Sequence, residues 1–277
     1  MLVYAYAKIN LTLDITGRNP DGYHLLDSVF QSVALFDAVT VEKGGEISVL
    51  CDGINGKDNI AFTAAKKFFE FTGVTGGADI VIKKGIPLLS GLGGGSADAA
   101  AVIIALDNIY KTNLDKKSLE KIALSCGADV PFCLFGGTAR IGGIGEKITA
   151  LPDIDGFWAT VIIAGEKKST RLMYEKLDKM PPVKPFTGEF LELLSRDAYS
   201  AFSAMGNAFG AVAGNSEVIS LLAASGALGA SVSGSGPAHF AVFADKKSAV
   251  AAAKKAEKQG LLSYAAPFVN RGNEIIE

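Results

Sequence analysis

The sequence predicts an α+β fold. Three observations carry that expectation. β-Branched and aromatic stretches with partial alternation, the mark of strands, fill the first forty residues. Strand and helix signals then interleave in the order βα-βα-ββα, which suits an α+β sandwich, with no internal repeat. At 277 residues, 49% hydrophobic and 20% charged, the chain holds enough apolar material for one large domain or two ordinary ones.

In chain order, strands are expected at Leu2 to Ala7, Leu11 to Thr16, Val29 to Leu35 and Ala38 to Val41. Lys8 and Asn10 interrupt the first pair. A lysine satisfied at a strand edge explains that as well as a functional one does. Asn-Pro and Asp-Gly mark Gly17 to His24 as a loop. It stands ready to present Tyr23 and His24 to a ligand, although ordinary packing accounts for the pair when taken alone. Ile47 to Cys51 is a short strand. Asp58 is the expected cap of a helix to Thr72, ended by Gly73, with Ile60, Ala64, Phe68 and Phe71 as its core stripe. Ala78 to Ile82 is a strand leading into a glycine loop, and an apolar helix follows to Tyr110.

A helix from Asp115 or Ser118 stops at Gly127. Ser118-x-x-Lys121 has a nucleophile's spacing but is common by chance and reads as helix surface. A strand and a loop lie within Gly136 to Gly145. Trp158 to Ala164 is a strand and Ser169 to Asp178 a helix, before Pro181-Pro-Val-Lys-Pro185 breaks the chain with linker-like composition. Helices are expected at Glu189–Leu194, Ala198–Ala211 and Ser216–Ala224. Strands at Ala230–Ser233 and His239–Ala244 flank the turn Gly234-Ser-Gly-Pro237. Asp245 caps a helix that Gly260 ends, and Ala265 to Asn270 is the last strand.

Charge narrows the function. Lys plus Arg number 27 and Asp plus Glu 29, so no broad nucleic-acid or membrane footprint is expected. Cys51, Cys126 and Cys133 lack metal-ligand spacing and read as reduced thiols. The longest apolar run, Ala99 to Leu106, falls far short of the roughly 20 residues of a membrane helix. Met1-Leu-Val-Tyr-Ala lacks the basic region of an export signal. A cytoplasmic protein is expected.

The sharpest signal is Pro87-Leu-Leu-Ser-Gly-Leu-Gly-Gly-Gly-Ser-Ala-Asp98. Gly91, Gly93, Gly94 and Gly95 precede Ser96, a candidate N-cap, and the apolar helix. Such a loop presents unpaired N–H groups under the positive end of a helix dipole, a ready phosphate site. One glycine suffices for a tight turn; four favour an anion pressed against the backbone. A Walker loop fails for want of Gly-Lys before Ser or Thr, and the dinucleotide fingerprint fails at Ser96. A second signal is Gly127-Ala-Asp-Val-Pro131. Asp129 is either a helix cap or a catalytic acid held in a partly dry site, where a carboxylate needs a partner.

Ala7-Lys-Ile-Asn-Leu11 with Asp21-Gly-Tyr-His24 and Phe30-Gln31, the loop Pro87 to Asp98, Gly127 to Pro131, and Ser233-Gly-Ser-Gly-Pro237 together resemble the GHMP kinases. Asp-Gly-Tyr-His and Gly-Ala-Asp-Val-Pro resemble the branch acting on a cytidine diphosphate-linked methylerythritol, rather than the homoserine, mevalonate or galactose branches. The resemblance spans residues 4 to about 244. It implies an N-terminal domain, 1–152, like the second domain of ribosomal protein S5, and a ferredoxin-like C-terminal domain, 153–277.

It also implies ATP-dependent phosphorylation of the 2-hydroxyl of that small molecule, in the non-mevalonate isoprenoid route, with Mg2+ and in a monomer or weak homodimer. Lys8 and Asp129 become the catalytic pair. Gly91, Gly93, Gly94, Gly95 and Ser96 hold the nucleotide's phosphates, Asn59, Ile60 and Lys84 lie about its adenine and ribose, and Pro87 and Leu89 belong to the same nucleotide site. Asn10, Tyr23, His24, Asp129, Ser235 and Gly236 meet the acceptor substrate. Three departures stand out. Ala97 follows Ser96 where relatives carry a second serine, Ala208 and Gly210 replace an acid pair, and Gly165 to Lys168 lacks an aromatic.

Overall fold

The computed structural model describes residues 1–166, 168–214 and 216–276. Two sheets organise them. In the first, β1 (Leu2–Arg18) and β2 (His24–Gly44) are long antiparallel partners. β3 (Ile47–Cys51) and β4 (Gly77–Lys83) extend the β2 side, and β5 (Thr138–Gly143) with β6 (Lys147–Ala150) pairs another part of β2. Each expected strand pair at the N-terminus is one continuous strand. Register shifts at Tyr6/Ala7, Asn10/Thr12 and Ile15/Gly17 bend β1 without ending it, so Lys8 and Asn10 lie within the ladder and are buried.

Helices α1 (Ile60–Thr72), α2 (Gly94–Tyr110), α3 (Lys116–Cys126) and α4 (Val130–Phe135) pack together against this sheet. The α1 cap is Asn59, whose side chain accepts from Ala61 N at 2.9 Å, while Asp58 is spent in a preceding 3-10 turn. In α2, nine residues from Ala97 to Leu106 are buried, as its apolar sequence requires.

The second sheet contains β7 (Trp158–Ile163), β9 (Gly229–Val232), β10 (Ala238–Phe243) and β11 (Leu262–Pro267), in the order β11-β7-β10-β9. That is the ferredoxin-like arrangement. Before β9 come α5 (Thr170–Leu177), α6 (Thr187–Leu194), α7 (Ala198–Ala201), β8 (Gly206–Asn207), α8 (Gly210–Ala213) and α9 (Ser216–Ala223); α10 (Lys246–Glu257) precedes β11. Alternation splits the second sheet between two cores. Val161, Phe240 and Val242 join the main core, while Ile162, Ala241 and Phe243 meet α9 and α10.

Three expectations change. The helix 198–211 is broken, because Gly206 and Asn207 leave it to pair with Thr12 and Leu13 of β1. The Asn207 amide donates to Val232 O and Gly234 O at 2.8 and 2.9 Å, which holds that detour. The run Pro181 to Pro185 is a loop between α5 and α6 and comes after the second sheet has begun. A last strand, β12 (Asn273–Ile275), returns to pair β1. Among the described residues, no helix is long and apolar enough to cross a membrane.

Candidate active site

The glycine loop ends in a preformed anion cradle. Gly91 and Gly93 have φ of +90° and +75°, the left-handed region. A Cβ on Gly91 would strike the Ser233 carbonyl, and one on Gly93 would stand 2.9 Å from Lys8 Cγ. Gly93, not Ser96, is the N-cap, so α2 starts three residues earlier than a cap at Ser96 implies. Its first helical bond runs from Ala97 N to Gly93 O at 2.9 Å. The N–H groups of Gly94, Gly95 and Ser96 therefore have no acceptor within the helix and sit at its positive end.

A cavity of about 340 Å³ opens over this turn. Every residue expected about the nucleotide lines it: Asn59, Ile60, Lys84, Pro87, Leu89, Gly91, Gly93, Gly94, Gly95 and Ser96. Leu88, Ser90 and Asp98 from the same loop motif join the wall, as do Cys51 and Ile54, which no sequence signal marked. Exposed Ile54, Leu88 and Leu89 give the rim an apolar surface. Lys84 contributes its position, because its ammonium is held between Asp37 and Asp98 at 2.5 and 2.7 Å.

Beside the cradle, Lys8 is 4% exposed. Its backbone N–H donates to Leu92 O at 2.9 Å, tying β1 to the loop. Its ammonium donates to Asn10 Oδ1 at 2.8 Å, lies 4.5 Å from the centre of the Phe30 ring, and stands 3.8 Å from Asp129 Oδ2. Asp129 is the N-cap residue of α4, yet its side chain makes no cap bond. The carboxylate is 36% exposed, so it is open to a substrate while Lys8 is not. Such a pair can accept a proton and hold the resulting charge in place.

Asn10 Oδ1 also accepts from Gly234 N at 2.8 Å, and Ser233 Oγ lies 3.0 Å from Gly91 O. The two glycine loops are thereby bolted together. Asn207, from the detour at β8, fixes the far side of the second loop. Ser235 Oγ is 2.9 Å from Thr170 Oγ1 at the start of α5, and Ser235 and Gly236 line a small cavity with Glu166 and Lys168.

Tyr23 and His24 lie in a groove of their own, about 570 Å³, rather than in the cavity over the cradle. Tyr23 is 64% exposed. The His24 ring stacks on Tyr174 with centroids 4.0 Å apart and planes 14° apart, and its Nε2 is 2.9 Å from Asp178 Oδ1. That hydrogen bond is the main cause holding the Asp178 carboxyl below its usual range, and Arg18 pairs with the same group. Burial pushes the Tyr174 phenol up to about 12. Sequence reasoning missed Tyr174 and Asp178. Their i, i+4 spacing, which places them on one helix face, was the available signal. Tyr174 also brings the groove a ring that Gly165 to Lys168 lacks, although Lys167 is outside the described residues.

Comparison with known proteins identifies the family. Residues 59–137 match the GHMP kinases N terminal domain, and residues 188–261 match GHMP kinases C terminal. The 4-diphosphocytidyl-2-C-methyl-D-erythritol kinase of Clostridium tetani is 38% identical over 260 residues, covering 90% of this chain and 93% of that protein. Its counterpart from Geobacter sulfurreducens is 37% identical, covering 90% and 92%. A crystal structure of 4-(cytidine 5'-diphospho)-2C-methyl-D-erythritol kinase matches with a TM-score of 0.79 at 33% identity, covering 97% of this chain and 99% of that one. A homoserine kinase from Cytophaga hutchinsonii, with a TM-score of 0.77 at 22% identity over 100% of this chain and 97% of that one, shares the fold. This chain belongs to the GHMP kinases and, among them, to the 4-diphosphocytidyl-2-C-methyl-D-erythritol kinase family.

Proposed function

We propose that the chain transfers the γ-phosphoryl group of ATP to the 2-hydroxyl of 4-diphosphocytidyl-2-C-methyl-D-erythritol, a step of non-mevalonate isoprenoid synthesis. The observation that carries this reading is the Asp129 carboxylate, unused as a cap and facing Lys8 beside the cradle. Asp129 accepts the hydroxyl proton as the oxygen attacks the γ-phosphorus. The new O–P bond forms as the bond to the bridging oxygen breaks, and ADP leaves with that electron pair. Lys8 orients Asp129 and compensates charge near the transferred group. Gly94, Gly95 and Ser96 offer their N–H groups to the phosphates, and Ser235 and Gly236 close over the transferred one. Tyr23 stacks on the cytosine and His24 reads its edge.

Mg2+ is the usual companion of a transferred triphosphate. Among the described residues, no group of three or more His, Cys, Asp or Glu side chains could hold an ion. The cradle offers N–H donors, which suit an anion. These residues therefore fit a metal carried in on the nucleotide's own oxygens, and Ala97 has no hydroxyl to add. When bound, the ion neutralises charge on the phosphate oxygens.

Residues 1–152 and 153–277 serve as the two domains, with ATP and acceptor meeting between them. The enzyme works in the cytoplasm as a monomer or weak homodimer, without nucleic acid. ATP consumption measured with the cytidine substrate, homoserine and mevalonate tests the reading. Turnover confined to the first is expected; turnover of homoserine or mevalonate alone would overturn it.

A further inference from the structure

A charged cluster that the transfer reaction does not use lies behind the cradle. The Lys84 ammonium, one residue beyond β4, bridges Asp37 Oδ2 and Asp98 Oδ2 at 2.5 and 2.7 Å. The three side chains are only 9%, 0% and 3% exposed. Asp37 Oδ1 is committed, accepting from Gly85 N and Ile86 N at 2.7 and 2.8 Å. Asp98 Oδ1 is buried and has no hydrogen-bond partner. Two carboxylates thus share one ammonium, and the ionised cluster carries one uncompensated negative charge away from water.

The place of this charge matters. A Cβ on Gly94 would be 3.4 Å from Asp37 Oδ2, and Asp98 lines the same cavity as Gly93 to Ser96. The cluster therefore stands directly behind N–H groups suited to a triphosphate. Two neighbouring thiols do not add to it, since burial pushes both Cys51 of β3 and Cys133 of α4 up and keeps them neutral. A proton on Asp98 Oδ1 relieves it: the cluster becomes neutral and the oxygen becomes a donor beside the Asp37 carboxylate.

Resting on the reading that ATP occupies this cradle, we propose that Asp98 is a positioning residue of the nucleotide site that enters the ATP complex protonated, drawing its proton from solution in alkaline buffer. Burial, and next the charge of Asp37, already raise the Asp98 carboxyl to about 8 in the free protein. A triphosphate on the cradle raises it further. Below pH 7 the proton is in place beforehand and ATP binding exchanges none. Above pH 8 each binding event takes one up, and affinity falls as pH rises, by at most about tenfold per unit.

The test is calorimetry of a non-hydrolysable ATP analogue with Mg2+ at pH 8.5, in two buffers of different ionisation enthalpy. Uptake of about half to one proton is expected, falling to none at pH 6.5. Asp98→Asn, which keeps the shape without the titration, should show no uptake and a flat affinity profile. No uptake by the native protein, or equal uptake by the variant, overturns the proposal. Should Asp98→Asn not fold, the carbon-13 carboxyl shift of Asp98 in the native protein decides. Its titration midpoint must rise when the analogue binds, and an unmoved midpoint overturns the proposal. Gly95→Val separates the two readings. If it leaves analogue binding intact, the nucleotide is elsewhere and both fall; if it abolishes binding while native uptake is absent, only the role of Asp98 falls.

Discussion

Asn10 Oδ1 accepts a hydrogen bond from the Gly234 N–H at 2.8 Å, joining residues 224 apart in the chain. The same oxygen accepts from the Lys8 ammonium at 2.8 Å. One amide thus sets Lys8 and the second glycine loop relative to each other. Asn10 is 1% exposed, so water cannot replace it.

Asn10→Leu should therefore be costly twice. Each buried donor left without an acceptor destabilises by roughly 1–3 kcal/mol, more for an ammonium. Urea unfolding should show that loss, and kcat should fall with it. Asn10→Asp, which restores an acceptor, should recover part of the stability. Identical unfolding midpoints for Leu, Asp and native proteins would remove the bridge from the account.

Gly95→Val tests the cradle with little strain. A Cβ there meets only Ile60 Cγ2, at an ordinary 3.4 Å, and Ile60 is on the cavity wall. Valine methyls would project into the nucleotide's space. ATP binding should weaken at least about tenfold while the melting temperature stays within a few degrees, since only van der Waals contact changes in the fold. Unchanged ATP affinity in the folded variant would sink the cradle assignment.

Asp98 gives a stability prediction with a definite sign. Its carboxyl is raised to about 8 when folded, against an ordinary value of 3.8, so the native state binds more protons between those values. Stability contributed by that proton is complete below pH 4 and is lost as pH climbs towards 8. Asp98→Asn has no such proton to lose. It should gain thermal stability relative to native protein between pH 5 and pH 8, by an amount on the order of a few kcal/mol. Parallel melting curves against pH for the two proteins would contradict the cluster's net charge.

Tyr23→Ala separates the two substrates. At 64% exposure the ring contributes little to the core, so folding should be unaffected. Base–aromatic stacking is worth about 1–3 kcal/mol, so KM for the cytidine substrate should rise roughly tenfold or more while that for ATP holds. An equal rise for both would give the ring a structural role.

What could be read from the sequence was mostly local. The glycine run and the apolar helix behind it are adjacent in the chain, and Asp115 and Asp245 cap helices three residues from their partners. The rest depends on pairings that no local pattern carries. β1 runs through Lys8 and Asn10 because Gly234 and Asp129 receive them. The expected helix from Ala198 breaks because Asn207 is claimed by Val232 and Gly234, 25 and 27 residues on. Lys84 lines the cavity as expected, but no local pattern shows that Asp37, 47 residues earlier, holds its ammonium.

The proposed mechanism rests on Asp129 and Lys8, and their geometry gives it a decisive test. Asp129 makes no cap bond to α4, so Asp129→Asn removes a charge and a proton acceptor, and with them the ion pair to Lys8, without removing a helix cap. If Asp129 is the base, kcat should fall by roughly 10²–10⁴-fold, the usual contribution of a positioned acid–base group. Both substrates should still bind, because the phosphates rest on the loop and the cytosine on Tyr23 and His24. Lys8→Met should lower kcat similarly, with an added stability loss, because Asn10 Oδ1 loses a donor in a buried place. The double variant should lose far less than the product of the single losses, since the two groups act as one unit. Steady-state kinetics with single-turnover controls measure all three. Near-native kcat in Asp129→Asn would mean that the carboxylate only heads α4 and that the substrate hydroxyl gives up its proton elsewhere.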